Sequence, residues 1–227
     1  MTTRGGEQVV PRPTDWKPGS DPTWPVPSER LYLVDDVGVA LADHTPSEVV
    51  RGVKLDLPEA DRPRSAVLVA LYDGAHGATT ILTKRPAHMR KHAGEIAFPG
   101  GAIDHTDVSP WAAALREAHE EVNLDPQLPE PLGELNRFVT GASYSLVTPF
   151  VARLGAPPDV HPSPDEVESI LHVPLRELMA PGVYREELWM FQGAYRSIHF
   201  FELVGETVWG ATAFMLRQLL EVVTERA

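Results

Sequence analysis

The stretch SAVLVALYDGAHGATTILTKR, residues 65–85, constrains the fold more than any other part of the chain. Two short apolar runs, Ser65–Asp73 and Thr79–Arg85, flank a glycine-bearing turn, DGAHGA, and together they read as a hairpin in the core of a sheet. A compact domain therefore begins near Arg64. Downstream, LGELNRFVT and SLVTPFVARL read as strands around a TGASY turn, and EVESILHVPLREL as a strand up to Val173 with a short helix after Pro174. WMFQGAYRSIHFFELV reads as a second hairpin around Gln192-Gly193, in which Trp189, Phe191, Tyr195, Phe200 and Phe201 alternate as strand-core or dimer-interface residues do. Longer helices open at Ser109-Pro110 and from Trp209. Strands around isolated helices, without regular βαβ alternation, indicate an α+β fold in which helices cover a mixed β-sheet.

Upstream of this domain, Pro11, Pro13, Pro18, Pro22, Pro25 and Pro27 exclude a helix or a central strand. Residues 1–30 are expected to be a proline-rich N-terminal arm and residues 31–227 a single domain, with its core from about 64. Trp16 and Trp24 point to packing on the arm's own domain or on a partner subunit; a disordered tail is the alternative.

The chain has 20 Lys and Arg against 32 Asp and Glu, a formal charge of −12. That argues against broad electrostatic binding of nucleic acid or of an anionic membrane, but not against a polyanionic small molecule received by local cations or a bound metal. With no cysteine, disulfides and thiolate metal sites are excluded. The first residues carry no apolar core like that of a signal peptide, and no run approaches the roughly 20 apolar residues that span a bilayer. A soluble cytoplasmic protein is expected.

The helix at Ser109 is legible in detail. Ser109 is a good N-cap and Pro110 suits the first helical position. Trp111, Leu115, Ala118 and Val122 recur at helical spacing as one apolar stripe, with Pro126 ending the helix. At about 100° per residue, Glu117, Glu120 and Glu121 fall opposite that stripe and are expected to look outward. Like charges three and four apart destabilise a helix. The crowding is either an ordinary solvated face or a site for a hard divalent cation, held by carboxylates, waters and substrate phosphates. FPGG, Phe98–Gly101, brings backbone towards the same helix, and its glycines permit tight turns and expose carbonyls. Arg85, Arg90 and Lys91 add positive charge suited to clamping a pyrophosphate. His88, His92, His105 and His119 form no metal-ligand spacing.

GGAIDHTDVSPWAAALREAHEEVNL, Gly100–Leu124, resembles the Nudix box: a glycine, an acid several residues on, then Arg-Glu-aliphatic-any-Glu-Glu. It departs from the general box in having Asp107 where Glu is usual, one extra residue before Arg116, and Asn123 in place of the late glycine. The preceding ILTKRPAHMRKHAGEIAFPGG is similar to the signature of coenzyme A pyrophosphatases, carried by Leu82, Thr83, Arg85, Arg90, His92, Gly94, Phe98, Pro99, Gly100 and Gly101. That branch tends to share the aspartate and the longer spacing. VTPFV and WGATAFML resemble its later landmarks, so the resemblance runs from about Arg64 to Val223.

The resemblance implies a Nudix fold, a mixed sheet sandwiched between helices, and a metal-dependent pyrophosphohydrolase. Glu117, Glu120 and Glu121 would bind Mg²⁺ or Mn²⁺, with Arg116 orienting the carboxylates and Glu166 assisting from outside the box. Arg85, Arg90 and His92, with Gly100 and Gly101, would contact a nucleoside diphosphate derivative. The products would be 3′,5′-ADP and 4′-phosphopantetheine. Family analogy and the proline-rich arm point to a homodimer. The alternatives are a Nudix hydrolase of ADP-ribose, a dinucleotide or a modified nucleoside triphosphate, and a Nudix-fold nucleotide-binding module without catalysis.

Overall fold

A computed structural model describes residues 4–25, 31–49, 62–89, 92–141 and 143–225. The elements begin with β1 (Trp16–Pro18), α1 (Val34–Ala42), β2 (Glu48–Val49), β3 (Arg64–Gly74), β4 (Gly77–Lys84), β5 (Ile96–Ala97) and β6 (Gly100–Ala102). Then follow α2 (Pro110–Val122), β7 (Glu130–Glu134), β8 (Arg137–Val139), β9 (Leu146–Arg153), β10 (Ser169–Pro174) and α3 (Leu175–Leu178). The chain closes with β11 (Tyr184–Phe191), β12 (Ala194–Glu202), β13 (Thr207–Trp209) and α4 (Gly210–Thr224).

β3 and β4 form the expected hairpin, pairing from Leu71↔Thr80 to Gly74↔Gly77 around the Ala75-His76 turn. They sit at the centre of a mixed sheet ordered β10-β4-β3-β9-β8-β2, with β5 on β4, β6 on β3 and β7 on β9. β3 runs parallel to β9 and antiparallel to β4 and β6. The strand period of two then separates two cores. Val67, Val69 and Leu71 face a cluster that includes α1, α3 and α4, whereas Ala66, Leu68, Ala70 and Tyr72 face α2. Both faces of β3 are covered, which is why its sequence is almost continuously apolar. Helices therefore flank a mixed sheet, in agreement with the α+β expectation. Among the described residues, no helix is long and apolar enough to cross a membrane.

A second sheet, ordered β1-β11-β12-β13, contributes Phe201 and Val208 to the larger core, joined by Leu203 just after β12. Its β11–β12 hairpin turns at Gln192-Gly193, both at positive φ. Trp189, Phe200 and Phe201 are buried, whereas Phe191 and Tyr195 are exposed. The proline-rich segment supplies the edge strand β1, the place in a sheet where Pro18 is tolerated. Trp24 is 5% exposed and packs edge-on to Tyr184 and flat on Phe201, at centroid distances of 4.8 and 6.1 Å. Residues 4–25 thus lie on their own chain.

Two features differ from the sequence expectation. Helix α1 was not expected: Asp36, three residues past Leu33, is a local cap signal, but the acid on the first helical N–H lies far away in sequence. Val34 donates to Asp73 at 2.9 Å, and Leu33 donates to Asp36 at 2.8 Å. Helix α2 ends at Asn123, not at Pro126: Asn123 takes the left-handed conformation, φ 56°, and its N–H closes on the carbonyls of Ala118 and His119.

Candidate active site

Helix α2 opens as expected, with the Ser109 hydroxyl accepting from the Ala112 N–H at 3.1 Å and Pro110 in the first turn. Its buried face, however, is made by Ala113, Ala114, Ala118 and Val122, with Trp111 and Leu115 only partly buried beside it. Small side chains let α2 approach β3 closely, since Ala113, Ala114 and Ala118 are fully buried in one cluster with Ala66, Leu68 and Ala70.

That close approach overturns the expectation that all three glutamates look outward. Glu120 is exposed and Glu117 half-buried, but Glu121 is only 4% exposed. It follows Ala114 and Ala118 at i+7 and i+3, and so shares their buried side. There the Glu121 carboxylate accepts the Gly100 N–H at 3.2 Å and faces the Arg85 guanidinium at 3.8 Å. Burial pushes its pKa up to about 7; the Gly100 bond and Arg85 oppose the rise, and the charges of Glu117 and Glu166 add to it. Burial also raises Glu117, opposed by Arg116 and reinforced by Glu120 and Glu166.

Glu166 reaches this neighbourhood through backbone bonds. His161 and Ser163 donate their N–H groups to the Val122 and Glu121 carbonyls at 3.0 and 2.8 Å, docking the 161–167 loop on the C-terminal end of α2. Orphan carbonyls at a helix end are thereby satisfied. Glu166 N–H in turn donates to Ser163.

Arg116 organises the outer side. Its Nε and Nη2 donate to the two Asp107 oxygens at 3.0 and 3.1 Å, and Nη2 also reaches the Ala102 carbonyl at 3.1 Å. Nη1 lies 3.0 Å from both Glu117 and Glu120. Five oxygens thus meet the five N–H groups of one guanidinium. Asp107, which the sequence marked only weakly, is the keystone of this fork, and Arg116 with the Asp104 N–H holds its carboxyl below the usual range.

The glycines of β6 serve different purposes. At Gly101, a Cβ would stand 2.5 Å from the Glu117 Cδ, so the carboxylate occupies the space that glycine leaves. At Gly100, φ is 154° and a Cβ would strike the Ala66 carbonyl at 2.5 Å, so this glycine permits the β6–β3 pairing itself.

Arg85 stands at the end of the hairpin, its Nε buried and, among the described residues, without a hydrogen-bond partner. Among the remaining expected contacts, His92 pairs with Glu95 at 2.9 Å on an exposed turn rather than with the box carboxylates. Arg90 and Lys91 lie outside the described residues.

Among the described residues, no three His, Asp or Glu side chains form a ready-made metal cage. The donor set nonetheless fits a hard divalent cation: oxygen ligands only, with Glu117 raised by burial and by the charge of Glu120, and Glu121 raised by burial and by the charge of Glu117. Mg²⁺ is typically held through one or two carboxylates with water and substrate phosphates completing the shell, not by an all-protein cage.

A NUDIX domain model matches residues 62–192, more than half of the chain. The chain is 36% identical over 182 residues to the Nudix hydrolase NudL of Photorhabdus laumondii, covering 78% of this chain and 97% of that one. It is 40% identical over 141 residues to NudL of Escherichia coli, covering 61% and 72%. Among solved structures, a MutT/nudix family protein from Enterococcus faecalis aligns with a TM-score of 0.50 at 18% identity, over 75% of this chain and 66% of that one, a likeness of fold.

Proposed function

The chain belongs to the Nudix hydrolase family, and from that membership we propose that it cleaves the diphosphate of coenzyme A or a derivative, releasing 3′,5′-ADP and 4′-phosphopantetheine or its acyl form. Nudix hydrolases use divalent metal ions, here Mg²⁺ or Mn²⁺. Such a cation supplies positive charge against the diphosphate and makes water a better nucleophile. Glu117, Glu120 and Glu121 would hold it, with Glu121 braced by the Gly100 N–H. Arg116 keeps Glu117 and Glu120 aimed together. Glu166 takes the proton of the attacking water. Arg85, Arg90 and His92, with Gly100 and Gly101, contact the nucleotide or its phosphates.

The observation that carries this reading is Arg85. It belongs to the LTKR segment that resembles the coenzyme A branch, and its guanidinium lies against Glu121. Among the described residues, its buried Nε has no acceptor. An unpaired buried donor on a cation is costly, and a diphosphate oxygen is the acceptor that the chemistry of the site supplies.

Product analysis across coenzyme A, ADP-ribose and NADH, with Mg²⁺ and with Mn²⁺, tests the reading. Coenzyme A is expected to be turned over with the highest kcat/KM, yielding 3′,5′-ADP. A clear preference for ADP-ribose would sink the coenzyme A assignment, and full turnover by Glu120→Gln on every substrate would sink the metal site.

A further inference from the structure

A side chain of the N-terminal segment, Gln8, reaches the turn that holds the Arg85 backbone. Gly5 N–H donates to the Leu203 carbonyl at 2.7 Å and Gly6 N–H to the Thr207 hydroxyl at 3.0 Å, laying the chain beside β13. Gln8 then uses both ends of its amide. Its Oε1 accepts the Thr207 N–H at 2.8 Å, while its Nε2 donates to the Glu206 carboxylate and to the Gly94 carbonyl, the latter at 3.2 Å. A donor on one side and two acceptors on the other fix which end is oxygen.

Gly94 leads directly to Arg85. The Gly94 N–H donates to the Arg85 carbonyl at 3.1 Å, and the Arg85 N–H donates to the Glu95 carbonyl at 2.9 Å. One short piece of backbone thus clamps the Arg85 peptide on both sides, while Gln8 holds that piece from behind. A second route reaches the same place: Glu206 also pairs with Lys84, the neighbour of Arg85, at 2.8 Å.

We propose that Gln8 is a positioning residue for the active site: by holding the Gly94 carbonyl it fixes the 92–95 turn, and with it the placement of the Arg85 guanidinium for the substrate diphosphate. Gln8 touches no reacting atom. The inference rests on Arg85 being a substrate contact, as read above. It makes the proline-rich segment part of the working site.

A merely structural staple would act differently, and Arg12 provides the comparison. Arg12 ties the same segment to Glu187 on the second sheet and, among the described residues, makes no hydrogen bond to the Gly94 turn. The test compares Gln8→Leu, Gln8→Glu and Arg12→Ala in the full chain. The readouts are KM and kcat for coenzyme A with Mn²⁺, amide hydrogen exchange at Arg85 and Gly94 without substrate, and the unfolding midpoint. Gln8→Glu keeps the acceptor for Thr207 but loses both donations. Either Gln8 variant is expected to raise KM by roughly five-fold, the factor of one neutral hydrogen bond, with kcat nearly unchanged. Exchange at Arg85 and Gly94 rises by a similar factor. Arg12→Ala lowers the midpoint without moving KM or that exchange. Wild-type exchange and KM in both Gln8 variants, or a comparable rise of both in Arg12→Ala, would overturn the proposal. Arg85→Ala separates the two readings: an unchanged KM there refutes the role of Arg85 in substrate binding, and exchange at the turn then decides the role of Gln8 alone.

Discussion

Substituting Gly101 by alanine should damage the site and spare the fold. A Cβ there would lie 2.5 Å from the Glu117 Cδ and 2.6 Å from each of its carboxyl oxygens. Non-bonded carbon contacts settle near 3.5 Å, so the carboxylate must retreat by about 1 Å. A displacement of about 1 Å in a catalytic group can cost on the order of 100-fold in rate. Because the obstacle is the far end of a flexible side chain, stability should change by no more than about 0.5 kcal/mol. The neighbouring Gly100→Ala supplies the contrast. Its Cβ would meet the Ala66 carbonyl at 2.5 Å and the Val67 Cα at 2.7 Å, and it would require φ near 154°. Backbone cannot step aside, so that variant should lose more than about 1 kcal/mol of stability. The assay is kcat for diphosphate hydrolysis with Mn²⁺, beside urea unfolding of each variant. Wild-type turnover by a folded Gly101→Ala protein would refute the placement of Glu117 over this glycine.

Three further outcomes follow from the same geometry. Glu166→Gln should lower kcat by about 100-fold, within the range of general base catalysis, while leaving Mn²⁺ binding in place; unchanged kcat would remove Glu166 from the chemistry. Arg116→Lys keeps the charge but offers three donors where five oxygens now converge, so activity should fall by about 10- to 100-fold, as for other groups that orient ligands; turnover near wild type would show that the fork is dispensable. Trp24→Ala empties the contact between Tyr184 and Phe201 and should cost about 3–5 kcal/mol in chemical unfolding; a cost below about 1 kcal/mol would mean that the proline-rich segment is not anchored in the core.

What the sequence made legible was local. The caps of α2 could be read because Ser109 and Pro110 act within one turn, and the β3–β4 hairpin because its turn and its two apolar runs are adjacent. The expected stripe of α2 holds at Ala118 and Val122, but the buried side is centred on Ala113 and Ala114 instead of Trp111 and Leu115, because alanines are too ambiguous to outvote the larger side chains. Once Ala114 and Ala118 mark the buried line, Glu121 belongs to it. Its partners arrive from Gly100 and Arg85, 21 and 36 positions away by numbering, which no helical period can register. Helix α1 was invisible for a similar reason. Gly38 and the β-branched Val34, Val37 and Val39 give a weak intrinsic propensity, and the acid that holds the first N–H group, Asp73, lies on β3. The family resemblance located Arg116 and the glutamates but not the importance of Asp107, which emerges only when all five guanidinium donors are followed to their oxygens.

Mn²⁺ binding followed by electron paramagnetic resonance, in the wild type and in Glu121→Gln, most directly tests the claim that the crowded carboxylates of α2 are a cation site. Glutamine preserves shape and hydrogen-bonding capacity while removing the negative charge that Gly100 and Arg85 now face. The account predicts saturable binding to the wild type, weakened by at least about ten-fold in the variant. Equal affinity in the two proteins would contradict it.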